Sequence, residues 1–445
     1  MHSSVPMTTT LLFLGLLVAM ILALALEEKI HAKKSVITGV FAVIALILGD
    51  AMHLIHPTEG SSLPIYIPMI DWSVIIIIFG SSLFIDVTSR SGIFAWTAIK
   101  LTKMSGGDPV KLLRYYAAIT VIFSAVLNNV TAMIIVGSLS AVSLKKLNRQ
   151  NLLLGFLLTE GLLTNVGGLL TLISSIPNII VGTAAGISFV EFFYKAAPYV
   201  VIATIVTLVI AQRVFKIEGL KTDEERAEAA ELVKSFDESE SVLSKAFFNF
   251  SWTLLALFIL GIATASVTPV ISDLGMGFVA MAFAVIALVR IKHEPEKAYV
   301  AIDWDLLLFF SYLFVVIHVM EHAHVLDLIG EGIGHLIALG DTAGPIALLW
   351  SGSIASSVTD NVPLAAVLSK VLAGTPSDSN LWWATIFGCN LGGNFTPIGS
   401  ASTLVAVAII HKNKLPMSFA TFVMKASPFA IVQLILASVY VLLAL

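Results

Sequence analysis

Four short polar runs stand inside apolar sequence, and they hold the residue types that could bind a solute. They are SAVLNNVT (124–131), TNVGGLLTLISSIPN (164–178), SSVTDNVP (356–363) and NLGGNFTPIGSAST (390–403). All four mix Asn with Ser or Thr, and the longer two add Gly and Pro. Gly lets the backbone leave helical geometry and Pro prevents its return. A helix interrupted there presents free N–H groups at a positive dipole end, with the preceding carbonyls turned to the cavity. Amide and hydroxyl side chains add adaptable donors and acceptors. Such a site suits a small ion or a small polyhydroxylated solute. A single run of this kind could serve close helix packing through small residues. Four in matched positions point to a binding site.

Acidic residues at bilayer depth are the second chemical signal. Asp86, Glu160 and Asp360 all have apolar surroundings. A charge there costs roughly 2.5–3.5 kcal/mol, so its default reading is functional. Asp360 sits beside Asn361 in the third run, and Glu160 lies five residues before Asn165. Either could bind a cation or carry a coupling proton. Asp86 in the first half is answered by His318 in the second. That pair would serve a proton relay, or else mark span ends near the interface. The single cysteine, Cys389, excludes an internal disulfide and a thiolate metal cluster and reads as packing. No cofactor or metal is expected.

These residues need a membrane to position them. The chain has 445 residues, 58% hydrophobic and only 12% charged, with a mean hydropathy of +0.96. Soluble domains carry about 25% charged residues. The apolar candidates are 9–26, 35–54, 72–88, 112–127, 132–144, 151–164, 172–190, 196–212, 251–268, 273–289, 305–320, 343–358, 362–373, 381–410 and 419–445. Their continuity argues for helices over an alternating β-barrel. Segment 11–26 resembles a signal h-region but lacks a small-residue cleavage site, and reads as a span. The net charge of -4, without a basic face, gives no reason to expect nucleic acid.

Lys and Arg placement orders the segments. Basic loops hold Lys29, Lys33, Lys34, Arg90, Lys103, Lys145, Lys146, Arg149, Arg213, Arg290, Lys292, Lys412 and Lys414, whereas 55–70, 322–342 and 374–380 hold none. All basic loops fall on one side if 112–144 and 343–373 are opposed re-entrant hairpins. Segments 112–127, 132–144, 343–358 and 362–373 look short for full spans. The expectation is an all-α polytopic membrane protein. It has about ten transmembrane helices, two opposed hairpins, two interrupted helices and both termini outside. The polar stretch 213–249 reads as a cytoplasmic linker with an amphipathic helix, and 92–104 as an interfacial helix.

The halves repeat each other. Ile70-Asp71-Trp72 recurs as Ile302-Asp303-Trp304, and Asn128-Asn129-Val130 is answered by Asp360-Asn361-Val362. One and the same offset carries both pairs, and it also sets Asp86 opposite His318. Asn165-Val-Gly-Gly with Thr171 recurs as Asn390-Leu-Gly-Gly with Thr396, at a slightly shorter offset. The charge-derived topology puts the two IDW triplets on opposite sides, so the repeat is inverted: 1–212 (hairpin 112–144, interrupted helix 151–190) and 250–445 (hairpin 343–373, interrupted helix 381–410). Inverted repeats with paired interrupted helices mark secondary transporters. No GxxxxGK[ST] loop argues for an ATP-driven pump, and no HExxH or Gly-x-Ser-x-Gly motif for an enzyme.

On these four runs the chain resembles the ion transporter superfamily. That group includes arsenite/antimonite permeases, NhaD-type sodium/proton antiporters, the melanosomal P-protein type and the divalent-anion/sodium symporters. The resemblance implies inverted repeats, two re-entrant hairpins, a homodimeric scaffold and an elevator motion. It also implies a site built from Asn128, Asn129, Thr131, Asn165, Gly168 and Thr171, with Asp360, Asn361, Asn390, Asn394, Thr396 and Ser400. Asn128 stands where many relatives have Asp, which leaves Asp360 and Glu160 to carry charge. TPIGSASTL is most similar to the arsenite permease type.

The expected function is therefore secondary active transport in the cell (inner) membrane. The leading form is proton-coupled efflux of a small inorganic solute, arsenite or antimonite first. Sodium/proton antiport and a passive channel or facilitator are the alternatives. The expected partners are the solute, a coupling proton or sodium, and the lipid bilayer.

Overall fold

The computed structural model describes residues 5–55, 62–242, 244–265, 268–358 and 361–445. The described elements are helical. In the first half they are α1 (Met7–Ala25), α2 (Glu27–Ile30), α3 (Lys34–Ala51), α4 (Trp72–Ser89), α5 (Ile93–Met104), α6 (Pro109–Val126), α7 (Asn129–Lys146), α8 (Leu153–Gly167), α9 (Ile176–Ala184) and α10 (Phe189–Val214). The linker carries α11 (Asp223–Lys234). The second half holds α12 (Lys245–Thr264), α13 (Pro269–Arg290), α14 (Glu296–Ala301), α15 (Trp304–His322), α16 (Val325–Ile337), α17 (Ala343–Val358), α18 (Asn361–Val371), α19 (Asn380–Gly392), α20 (Ala401–Lys412) and α21 (Phe419–Leu443).

Among the described residues nine helices, the hairpin arm α6 included, are long and apolar enough to cross a membrane, in keeping with the expected number of about ten. They are α1, α3, α4, α6, α10, α12, α13, α15 and α21. Their outer faces keep large apolar side chains exposed, such as Val36, Val40 and Ile47 on α3 and Val201 and Ile205 on α10. In water that would be a liability; in lipid a helix meets hydrocarbon outside as well as inside.

The element succession occurs twice, and so does the packing. α3 lies against α15 and α4 against α13, each crossing from one half to the other. α5 touches α6 and α7 as α16 touches α17 and α18, and α9 meets α18 as α20 meets α7. The IDW triplets turn out to be helix starts. The Asp71 carboxylate accepts from the Ser73 and Val74 backbone N–H groups at 3.1 and 3.2 Å, and that of Asp303 from Leu306 at 3.0 Å. Trp72 and Trp304 each donate their indole N–H to a carbonyl five residues back, Ile67 and Tyr299, at 3.0 Å. The motif serves both halves as a cap.

Both expected hairpins fold back. Tyr116 Oη on α6 lies 2.8 Å from Ser143 Oγ on α7. Along one straight helix those residues would stand roughly 40 Å apart. In the second pair, Leu368 Cδ1 on α18 lies 4.0 Å from where a Cβ on Gly352 of α17 would stand. The first hairpin's arms are longer than the sequence suggested, at 18 residues each, about 27 Å. Asp108 caps α6 early, with Pro109 at its first position, and Lys145 and Lys146 complement the last turn of α7. The second hairpin is shorter, at 16 and 11 residues.

Two further differences stand out. α16 falls in 322–342, noted above only as a segment without Lys or Arg. Asp327, Glu331 and His335 break its apolar run, while Leu326 and Ile333 face inward. α10 begins at Phe189, because Gly186 at φ +71° ends α9 and the Ser188 hydroxyl caps the next helix. The linker is tied to the first half. Lys103 pairs with Glu238 at 2.6 Å, the Leu220 N–H donates to Asp108 Oδ2 at 2.9 Å, and Lys146 stands over the Phe236 ring at 4.7 Å. The Lys103 hydrogen bond holds the Glu238 carboxyl below its usual range. Gly92, at φ +86°, lets the Ser241 carbonyl pass where a Cβ would be 1.8 Å from its oxygen.

Candidate functional site

The helix breaks meet in the middle of the molecule. α8 ends at Gly167 and resumes as α9 at Ile176, and α19 ends at Gly392 and resumes as α20 at Ala401. Each interrupted helix is stapled to its own hairpin by the same pair of bonds. The Ser124 hydroxyl bridges the Asn129 side-chain oxygen and the Thr164 carbonyl, 2.6 Å from each. Its counterpart Ser356 donates to the Cys389 carbonyl at 2.6 Å. Thr171 donates to the Ala125 carbonyl and Thr396 to the Ser357 carbonyl, both at 2.5 Å. Asn178 closes the first break by donating to the Gly168 and Thr171 carbonyls at 2.6 and 2.9 Å. Thr403 occupies the matching place, 3.1 Å from the Pro397 carbonyl and 2.8 Å from that of Ser400.

The breaks are also joined to each other. Asn165 donates to Asn394 Oδ1 at 2.8 Å and to Ser400 Oγ at 3.0 Å. Asn390 answers from the other side, accepting from the Ser175 hydroxyl at 2.6 Å and donating to Asn178 Oδ1 at 2.8 Å. Ser402 Oγ lies 2.9 Å from Thr164 Oγ1 and 3.2 Å from Asn165 Oδ1. Asn165, Asn178, Asn390 and Asn394 are each at most 1% exposed. Buried amides must find partners, and these find one another.

The first hairpin tip opens onto this crossing. Leu127 and Asn128 are extended, and Asn128 Oδ1 caps α7 by accepting from the Thr131 N–H at 2.8 Å. Asn129 donates to Asn165 Oδ1 at 3.4 Å. A Cβ on Gly168 would lie 2.8 Å from the Asn129 amide atoms, so a side chain there would have to displace the Asn129 amide. Asn128 is exposed, while Asn129 and Thr131 are half-buried. Asp360 lies outside the described residues; Asn361 begins α18.

The expected coupling residues separate. Glu160 is fully buried in α8; Oε1 accepts from the Ser140 hydroxyl of α7, and Oε2 has no partner among the described residues. Asp86 is held by Arg90, with bonds of 2.9 and 2.6 Å, and the same guanidinium reaches the Lys297 carbonyl at 2.7 Å. His318 packs against His322 with the rings tilted and their centroids 4.5 Å apart. It lines a cavity of about 490 Å³ with Asp71, Thr183, Ser369 and Lys370. Asp86 and His318 are therefore not hydrogen-bonded to one another.

Several members of the network escaped the sequence reading. Ser124, Ser175, Asn178, Ser356, Ser402 and Thr403 lay inside the four runs without being singled out. The two repeat offsets pair Ser124 with Ser356, Ser175 with Ser400 and Asn178 with Thr403, which was the usable signal. Gln433 lay outside them, as a lone amide within apolar α21.

A polytopic helical protein with a buried polar crossing between two hairpins belongs to the class of membrane transporters, and the comparisons make the class specific. The citrate transporter family CitMHS matches residues 22–388, so the chain belongs to that family. It is 26% identical to the "46 kDa membrane protein" of Mycobacterium leprae over 427 residues, covering 94% of this chain and 95% of that protein. It is 24% identical to the human "P protein", covering 96% of this chain but 59% of that protein. Among solved structures, the Alcanivorax borkumensis YdaH transporter aligns with a TM-score of 0.61 at 13% identity, covering 92% of this chain and 98% of that one. Neisseria gonorrhoeae MtrF, described as illuminating a class of antimetabolite efflux pumps, aligns at 0.60 and 12% identity, covering 93% and 95%. These structures share the fold. The matching family is one of transporters, and a Mycobacterium bovis relative 27% identical, covering 93% of this chain and 94% of that protein, is named an uncharacterized transporter.

Proposed function

We propose that the chain is a proton-coupled secondary transporter exporting a small, neutral, oxygen-rich solute, with arsenite or antimonite as the first candidate. The observation that carries this reading is the buried crossing of Asn165, Asn390, Asn394 and Ser400 beneath the first hairpin tip. Its side chains are amides and hydroxyls, and among the described residues no Lys, Arg or His joins their hydrogen bonds. Arsenous acid is uncharged near neutral pH and presents only hydroxyls. It would meet the Asn128, Asn129 and Thr131 side, with Asp360 and Asn361 approaching from the second tip. Thr171, Gly168 and Thr396 would hold the breaks in shape.

Glu160 is the proposed carrier of the coupling proton. A carboxyl with one bonded and one unpartnered oxygen, fully buried, accommodates the neutral acid and releases its proton only when rehydrated. Asp360 is the alternative carrier. The basic-loop pattern supports inverted halves, 1–212 and 250–445, with both termini outside the inner membrane. In the resemblance-based form, two copies form the scaffold and the hairpins with their breaks move as an elevator.

The test is arsenite-driven proton movement in proteoliposomes, read by a pH dye. No flux from a folded protein sinks the arsenite reading. Citrate is the second reading, favoured by the family match. It predicts counterflow of labelled citrate, with and without a divalent cation. Sodium-dependent dequenching of the same dye would instead support sodium/proton antiport. Transport indifferent to a proton gradient would support a passive facilitator.

A further inference from the structure

Four amides form one chain, from Asn129 through Asn165 and Asn394 to Gln433, while Asn390 and Asn178 bond each other as a separate pair. Asn394 donates one amide hydrogen to the Leu162 carbonyl at 3.1 Å and the other to Gln433 Oε1 at 2.7 Å. Gln433 in turn donates to Thr207 Oγ1 on α10 at 2.9 Å, and its own backbone carbonyl accepts from Tyr199 Oη at 3.0 Å. Tyr199, Thr207, Asn394 and Gln433 are at most 1% exposed, so water does not compete for these bonds.

The bonds have a direction. With both Asn394 hydrogens spent, its oxygen is left to accept from Asn165 at 2.8 Å. The other Asn165 hydrogen goes to Ser400 at 3.0 Å. The Asn165 oxygen therefore faces Ser402 and Asn129, at 3.2 and 3.4 Å. An amide has two donors and one accepting oxygen, so fixing one end of the chain fixes the other. The Asn394–Gln433 pair has no counterpart in the first half. Aligning α10 with α21 on their internal prolines, Pro198 and Pro428, places Ala203 opposite Gln433. The offset that carries Asn165 onto Asn390 places Leu169 opposite Asn394.

We infer that Gln433, braced by Thr207, is a positioning residue that holds the second Asn394 hydrogen and so keeps the Asn165 oxygen turned toward the first hairpin tip. Gln433 does not itself face the tip; it acts through Asn394. The inference rests on the proposed reading of the crossing as the solute site. It adds that solute affinity depends on an accepting oxygen at position 433, in a helix no solute needs to touch.

The decisive comparison is Gln433→Met, which keeps length and loses both polar atoms, against Gln433→Glu, which keeps an accepting oxygen. In proteoliposomes with arsenite as the probe, Gln433→Met is expected to raise KM about tenfold with kcat little changed. Gln433→Glu should recover most of that affinity, and Thr207→Val should raise KM by a smaller factor. Equal shifts in the Met and Glu variants, or none in Met, would overturn the inference. A second measurement uses no solute. Thermal unfolding of Gln433→Met, Asn165→Ala and the double variant should show coupling, because the two residues are joined through Asn394. Strict additivity also overturns it. Should the wild type exchange no solute tested, the functional reading falls, and the unfolding cycle still decides the amide chain.

Discussion

The two hairpins, each with its break, are held by the same bonds but differ in what remains after those bonds are made. Ser124 and Ser356 staple the hairpins, and Thr171 and Thr396 staple the breaks, at nearly equal distances. Gly167 and Gly392 give both halves the same close helix approach. What is left over is not shared. The first half adds Glu160 with Ser140, and a buried hydroxyl cluster of Thr102, Tyr116 and Ser143. The position opposite Glu160 is Thr385, whose hydroxyl returns to the Leu381 carbonyl at 2.8 Å. The second half adds Asn394 and Gln433. The duplicated bonds maintain a shape that both repeated halves need. The unduplicated groups are where a proton and a solute could be told apart.

Breaking the unshared acid should have the largest effect. Glu160→Gln keeps size and a hydrogen-bonding oxygen for Ser140. It is expected to abolish proton-driven transport while leaving solute-for-solute exchange and thermal stability near the wild type. Proton-driven flux at the wild-type rate in this variant would remove Glu160 from the mechanism. Thr385→Val, its counterpart, should leave coupling intact.

The shared close approaches come next. A Cβ on Gly392 would meet the Ser353 carbonyl oxygen at 2.4 Å, and one on Gly167 would meet Val121 Cα at 2.7 Å. Both obstacles are backbone and cannot rotate away. Gly392→Ala is expected to cost about 1–3 kcal/mol, and Gly167→Ala somewhat less. Melting in detergent measures the order; a neutral Gly392→Ala would show that the second hairpin yields easily.

Smaller effects test whether the staples are equivalent. Thr171→Val and Thr396→Val each remove one donor to a hairpin carbonyl, at a cost of about 1 kcal/mol. Similar losses support a symmetric scaffold, and a large inequality would show that one hairpin depends more on its break.

The smallest effect is at the linker. The Lys103 pairing depresses the Glu238 carboxyl, so its contribution is present above the unfolded carboxylate range and lost as pH falls through the lowered value. The pair is partly exposed, and Glu238→Gln should cost under about 1 kcal/mol and flatten that acid-side loss. A larger change would mark the linker as a structural clamp on the first hairpin.

Much of the fold was legible in the chain because lipid imposes length and apolarity on every span. Two repeat offsets, one through the IDW triplets and hairpin tips and one through the Asn-x-Gly-Gly runs, located both hairpins and both breaks. The hydropathy rule failed at α16, where acids and glycines dilute an amphipathic face. It failed again at the boundary before α10, which one capping serine sets. The four polar runs also held the crossing, because a polar group at bilayer depth must be satisfied by another.

Hydropathy and repetition determined by themselves that this is a two-fold helical membrane protein with polar breaks in matched places. They could not say which amide bonds which, since a sequence carries no direction for a hydrogen bond. The tertiary structure decided that Thr171 and Thr396 fasten backbone, that Asp86 belongs to Arg90, and that Gln433 belongs to the crossing. The physical reason is the same each time. In a dry interior every donor and acceptor must be paired at once, and only the packed arrangement of several helices fixes that pairing.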